Sequence, residues 1–214
     1  DPSNNGISNI TAELMLRGTK TRSADEIARF FDARGAGVKA ASGSNTLYVR
    51  CEVLKEDFDD AMNVFADVIN NPAFTAEELN RLKPRVLNAI SQINENWRSE
   101  LSAYFLKKFY TTTPYRMLPI GDTASVKSLD PAAVSAFYHR MLAAQNCILA
   151  MYGDIDETRA EQAARTLFAA LPPKASLPRP TVEPEKTIEK PALYIRTKSS
   201  DRKAAGIYVG FRGA

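Results

Sequence analysis

Hydrophobic residues recur every three or four positions through most of the chain, a spacing that predicts amphipathic helices. The helices expected on this basis cover residues 10–16, 24 to about 35, 57–70, 75–97, 103–110, 131–141 and 157–171. Two capping boxes, Ser23 with Glu26 and Thr75 with Glu78, mark helix starts. Pro84 lies inside the longest helix and is expected to kink it.

Shorter regions alternate apolar and polar residues instead, which predicts half-buried strands. In the clearest of them, Leu47, Val49 and Cys51 are separated by single polar residues. The predicted strands are 37–42, 46–54, 193–196, 206–211 and 146–152, the last because of its continuous apolar run from Cys147 to Tyr152. Because strand pairs interleave with helices, we expect an α+β fold in which a mostly antiparallel sheet is covered on one face by helices.

A change of composition at Pro172 indicates the domain organisation. Six prolines lie between Pro172 and Pro191, with Lys and Glu among them, which predicts a stiff, charged linker over 172–191. We expect a first module over 1–171 and the first strands of a following module over 192–214. Because the chain begins at Asp1 without an initiator Met, we expect a piece of a longer polypeptide that lacks the first strands of its first module.

Composition and charge exclude several classes of function. The chain has 28 Lys and Arg against 25 Asp and Glu, a net charge of +3, which does not indicate a nucleic-acid partner. No apolar run approaches the roughly 20 residues that span a bilayer. One histidine and two cysteines cannot build a zinc site made mainly of His or of four Cys.

The few residues with catalytic potential lack partner motifs. His139 is the only histidine and lies on a predicted helix, so we interpret it as a partly exposed structural residue. Cys51 and Cys147 occupy predicted strand cores and are interpreted as small buried hydrophobes rather than a disulfide. Trp97 and Tyr104 are interpreted as packing anchors.

Four segments, taken in order, resemble the pitrilysin/insulinase family of metallopeptidases, family M16. They are Gly6 to Thr19; Asn71-Pro72-Ala73-Phe74; Thr113-Pro114-Tyr115 followed by Ile120-Gly121-Asp122; and Asn146 to Tyr152 followed by Gly153-Asp154. The resemblance covers about residues 6 to 171 and resumes in the strands after the linker. Active members of this family carry H-x-x-E-H on the first helix, which places two imidazoles on one face and a general base beside them. A glutamate about 76 residues later on the long helix supplies the third zinc ligand.

The resemblance implies that this zinc site has been lost. Counting from the Gly-Thr pair after the first helix, Asn9 and Glu13 occupy the two histidine positions, and Ala12 occupies the position of the general base. Ala89 takes the place of the third ligand, and Leu82 that of a second acidic residue seven positions earlier. We therefore expect no catalytic residue and no bound metal in this chain.

M16 proteins are generally built from paired halves, only one of which carries zinc in most members. The resemblance thus implies a non-catalytic half or subunit that pairs with a zinc-bearing partner, lines a chamber and helps bind a peptide or unfolded protein. Zinc is expected only in the partner. Two alternatives stay open: a stand-alone structural protein like the core subunits of respiratory complexes, and an intact zinc module elsewhere in the same polypeptide. The compartment is unknown, and the bacterial periplasm or cell envelope is favoured only because relatives of this type are often exported.

Overall fold

The computed structural model describes residues 2–173, 183–198 and 205–211. Within those residues the chain forms eight α-helices and one antiparallel pair of strands. The helices are α1 Ile7–Met15, α2 Ala24–Asp32, α3 Phe58–Asn70, α4 Ala76–Ile93, α5 Trp97–Phe109, α6 Thr123–Ser128, α7 Pro131–Met141 and α8 Glu157–Leu167. The strands are β1 Gly37–Ser42 and β2 Leu47–Glu52.

The two strands form a hairpin beneath the first helix. Val38 pairs with Cys51 and Ala40 with Val49, so the apolar residues of both strands share one face. α1 packs against both strands, and Val38, Val49 and Cys51 contact the main core. The α+β class with an antiparallel sheet covered by helices is therefore confirmed, although the sheet is small.

The core joins α1 to the helices that follow it. Ile10, Leu14 and Met15 of α1 have at most 1% of their surface exposed. Their partners share the same apolar periodicity and come from five other helices. They include Ile27, Phe31, Val64, Val68, Leu79, Leu82, Val86, Val126, Val134 and Tyr138. This packing fixes α1 and α4 side by side, with one face of each turned to the interior.

A buried carboxylate ties the turn after α1 to the end of α3. Asp67 Oδ2 accepts hydrogen bonds from the hydroxyls of Thr19 at 2.6 Å and Thr21 at 2.9 Å, and from Arg22 Nη1 at 2.6 Å. Asn71 Nδ2 donates to Oδ1 at 2.9 Å. Burial by itself raises the pKa of Asp67, but these four donors together hold that pKa below its ordinary value.

Two glycines of the family-like segments meet backbone to backbone. A Cβ on Gly6 would lie 2.8 Å from the Cα of Gly121, and both residues have positive φ, at 90° and 94°. Only glycine combines that conformation with so close an approach. The contact brings the entry to α1 onto the turn that precedes α6.

Several predicted helix bounds were wrong. The predicted helix 75–97 is two helices in the structure. α4 ends at Ile93, and α5 begins at Trp97, the last residue of the predicted range. The side-chain oxygen of Asn96 accepts hydrogen bonds from the backbone N–H groups of Arg98 and Ser99 at 3.1 Å each. This cap starts a new helix, although no proline or glycine marks the boundary in the sequence.

The end of the chain shows further differences. α6 was not predicted, and the last helix is four residues shorter than expected. The predicted strand 146–152 is not paired, and Ile148 and Tyr152 are almost fully exposed. Its apolar run favours a strand but cannot supply the neighbouring strand edge that a ladder requires.

The segments beyond the first module remain partly outside the described residues. Residues 174–182 of the predicted linker are among those not described, and the described part, 183–191, has no helix or strand. The predicted strands 193–196 and 206–211 lie within described residues but are not hydrogen-bonded into a sheet. The boundaries of the linker and of the following module therefore stay predictions.

Candidate functional site

The positions that match the zinc motif lie where α1 faces α4. Asn9 and Glu13 are one helical turn apart and both are half-buried, on the side of α1 that does not enter the core. Ile10 and Leu14 point into the core and fix the rotation of the helix. The scaffold thus presents side chains 9 and 13 together, as two ligands of one ion would require.

An ion pair occupies this face. Arg85 Nη2 of α4 donates to Glu13 Oε2, and Asn9 Nδ2 donates to Glu13 Oε1 at 3.4 Å. The Arg85 side chain is 61% exposed and that of Glu13 is 27% exposed. A guanidinium from α4 therefore supplies the positive charge that meets the α1 carboxylate.

The remaining motif positions carry no polar side-chain atom. Ala12 is fully buried, and Leu82 is 1% exposed and belongs to the core. Ala89 is half-buried one turn beyond Arg85 on α4. Neither a proton acceptor nor a third oxygen or nitrogen ligand is available at these three positions.

The side chains at this face do not fit a catalytic zinc ion. Such a site takes three protein ligands, usually His, Cys or a carboxylate, and keeps one open position. Here the single carboxylate is already paired with a cation, and Asn9 offers a neutral amide that is a weak ligand. Among the described residues there is also no cluster of three or more His, Cys, Asp or Glu side chains that could hold a metal ion.

The other residues singled out from the sequence do not assemble into a site. His139 is exposed on α7, where Nδ1 lies 2.8 Å from the carbonyl oxygen of Ser135. Cys51 is half-buried as a free thiol, and burial, with the Glu52 charge, raises its pKa to about 11. Cys147 is also free but exposed, so the prediction that it is buried in a strand was wrong.

An open groove runs along the outer edge of β2. It has a volume of about 1710 Å³, and its walls are β2 and residues 146–155. Apolar side chains of α3, among them Met62 and Phe65, also line it. The sequence did not predict this groove, and the apolar run of 146–152 was the available signal.

Within the described residues, no helix is both long and apolar enough to cross a membrane.

Comparison with known proteins gives the family. Residues 1–121 match the model of the insulinase family, peptidase family M16, and residues 128–214 match the model of the peptidase M16 inactive domain. The chain therefore belongs to peptidase family M16, as the order of its sequence motifs predicted.

Individual relatives agree with this assignment. An uncharacterized zinc protease of Rickettsia felis is 27% identical over 97% of this chain and 49% of its own length. The crystal structure of a peptidase M16 inactive domain from Pseudomonas fluorescens is 26% identical, with a TM-score of 0.74 over 83% of this chain and 44% of that one. Subunit 1 of the bovine mitochondrial cytochrome b-c1 complex is 21% identical over 78% of this chain and 35% of its own length. The chain spans about half the length of the Rickettsia relative.

Proposed function

We propose that this chain is a non-catalytic M16 module that pairs with a zinc-bearing half or subunit, forms a peptide-binding chamber with it and supports its metalloendopeptidase activity. The observation that carries the proposal is the pairing of Glu13 with Arg85, beside an alanine at the position of the general base. With that set of side chains the module has no means to activate a water molecule by itself. Zinc is expected in the partner only.

Peptide binding without a metal is compatible with the sheet. An extended peptide can add to an unpaired strand edge through main-chain hydrogen bonds. In the part of the chain that is described, β1 pairs only with β2, so its other edge is open, and β1 contacts α1. We propose that this edge of β1 faces the chamber.

The groove beside β2 suits a different occupant. Residues 147–152 lie unpaired on its far wall with apolar side chains exposed, which favours completion of the same sheet rather than binding of a substrate. We therefore propose that additional strands of the first module fill this groove. Residues 192–214 are proposed to begin a following M16 module.

A second candidate function follows from the bovine relative. That protein is a subunit of a respiratory complex, so an M16 module can also serve as a structural component. On this alternative the chain would neither associate with an M16 peptidase nor alter its activity. A zinc module elsewhere in the same polypeptide would instead make this chain the inert half of one enzyme.

The two candidates are separated by reconstitution. The purified chain is mixed with an M16 paralogue from the same source that carries H-x-x-E-H, and cleavage of an unstructured peptide is measured together with association. We expect a stable complex and faster cleavage than by the paralogue alone. A paralogue whose motif Glu is replaced by Gln is the control, because it should bind the chain without cleaving. Neither association nor faster cleavage would overturn the proposal in favour of a structural protein.

A further inference from the structure

The turn that follows α5 holds the carboxylate of a residue more than seventy positions later. Glu185 Oε1 accepts hydrogen bonds from the backbone N–H groups of Thr112 at 3.0 Å and Thr113 at 2.7 Å, and from the Thr113 hydroxyl at 2.8 Å. Glu185 Oε2 accepts from the backbone N–H of Thr111 at 2.8 Å and from its hydroxyl at 2.9 Å. Three successive N–H groups and two hydroxyls thus converge on one carboxylate.

This convergence has the chemistry of an anion-binding site. Successive backbone N–H groups in a turn form a concave set of donors, and hydrogen bonds to a charged acceptor are stronger than neutral ones. The hydroxyl of Thr112 also donates to the main-chain carbonyls of Glu183 at 3.2 Å and Pro184 at 3.3 Å. Burial opposes ionisation of Glu185, but the donors of Thr111 and Thr113 lower its pKa well below the ordinary value.

The chain then follows α5 towards the start of that helix. Glu100, in the first turn of α5, pairs with Arg196 Nη2 at 3.0 Å and Lys198 Nζ at 2.9 Å. Because Glu185 is bound at the other end of α5, residues 185–198 run antiparallel to the helix. Their attachment points are the two ends of one rigid element.

The next described segment returns along the same helix. Gly206 lies so close to Leu101 that a Cβ would come within 2.7 Å of its side chain. Tyr208 packs on Phe105 with ring centres 5.0 Å apart, and Gly210 approaches the Phe105 ring so closely that a Cβ would clash with it. α5 is therefore the surface on which both described segments after the linker rest.

We infer that Thr111-Thr112-Thr113 is a carboxylate-binding site whose ligand is Glu185, and that this contact fastens the proline-rich linker to the first module. In the described part of the linker, the carboxylate of Glu185 and the carbonyl groups of Glu183 and Pro184 contact this turn, whereas prolines cannot donate main-chain hydrogen bonds of their own. This contact sets where the segment after the linker begins its path. The inference concerns a contact within the chain and does not depend on the proposed pairing with a catalytic half.

The test is hydrogen exchange of the three threonine amides in the full chain. Glu185→Gln keeps the shape of the side chain but turns an NH₂ group towards donors, so we expect the amides of 111–113 to exchange roughly tenfold faster or more. Glu189→Gln is the matched control, since it removes the same charge from an exposed position four residues later. Thr113→Val removes one hydroxyl donor and keeps the amide, and should give a smaller acceleration.

Trypsin provides an independent readout of linker attachment. The bond between Lys186 and Thr187 lies next to the bound glutamate, and the bond between Lys174 and Ala175 serves as an internal reference. The rate of cleavage after Lys186, divided by the rate at the reference bond, should be higher in the Glu185→Gln chain than in the wild type. This increase should exceed the increase that the same substitution causes in a free peptide covering 183–190. Amide exchange at 111–113 within twofold of the wild-type rate in a folded Glu185→Gln chain would overturn the inference.

Discussion

Asp67 and Glu13 are carboxylates that each join two parts of the first module, and they differ in burial and in their donors. Asp67 is 8% exposed and accepts hydrogen bonds from four side chains, which link the turn after α1 to α3. Glu13 links α1 to α4 on a half-exposed face, through Arg85 and a longer contact with Asn9. One carboxylate is enclosed by the fold, whereas the other lies at a position that the sequence predicts to match a histidine of the zinc motif.

The difference indicates which of the two carboxylates contributes more to the free energy of unfolding. Removing a buried acceptor leaves several donors without partners, whereas an exposed ion pair contributes little because water competes for both charges. The Glu13–Arg85 pair is therefore not needed to hold α1 in place. Side chains 9 and 13 can therefore vary without loss of the fold, because Ile10 and Leu14 anchor the opposite face of α1.

The largest expected effect follows from replacing the enclosed carboxylate. Asp67→Ala should lower the free energy of unfolding by about 2–4 kcal/mol, because the donors of Thr19, Thr21 and Asn71 lose their acceptor. Asp67→Asn should cost less, since it keeps the volume and one acceptor. Urea unfolding measures both variants. A loss below about 0.5 kcal/mol for Asp67→Ala, a value typical of ordinary surface positions, would remove the distinction between the two regions.

Acid should weaken the same contact. The pKa of Asp67 is lower in the folded chain than in the unfolded one, so its contribution to stability is fully present above the unfolded value of about 3.9 and is lost as the pH falls through the folded value. The stability difference between wild type and Asp67→Asn should therefore shrink below about pH 3.9. Unfolding curves from pH 6 downwards, at constant ionic strength, measure this difference. A constant difference across that range would contradict the assignment.

The smallest expected effect is at the face of α1 that carries Asn9 and Glu13. A double-mutant cycle with Glu13→Gln and Arg85→Gln should give a coupling energy of about 0.2–1 kcal/mol, reduced by added salt, because the Arg85 side chain is 61% exposed and water competes for its charge. Each single variant should remain folded with an unchanged far-UV spectrum. A coupling above about 2 kcal/mol would mean that this pair, like Asp67, holds the module together.

Local signals predicted most of the fold. Ser23 forms the predicted capping box with Glu26, and Thr75 caps its helix by accepting a hydrogen bond from the backbone N–H of Glu78. The alternation of 47–53 gives β2, because caps and periodicity act within a few residues. The sequence could not predict that 146–152 lacks a strand partner among the described residues, since a strand needs a neighbour that its own sequence does not specify.

The candidate site was predictable only in part. The motif spacing located Asn9, Ala12 and Glu13, but nothing local pointed to Arg85, which is 72 residues from its partner. Arg85 lies one turn before Ala89, so a ligand-by-ligand comparison with the zinc motif passes over it. The contact between Glu13 and Arg85 becomes visible only when α1 and α4 are seen together.

The zinc content of the purified chain, determined together with its peptidase activity, tests the proposed role most directly. Because the only carboxylate at the motif positions is paired with Arg85, we predict near-zero bound zinc after incubation with zinc and dialysis against zinc-free buffer, and no cleavage by the chain alone. Stoichiometric zinc accompanied by peptide cleavage, abolished by a chelator and restored by zinc, would contradict a non-catalytic module.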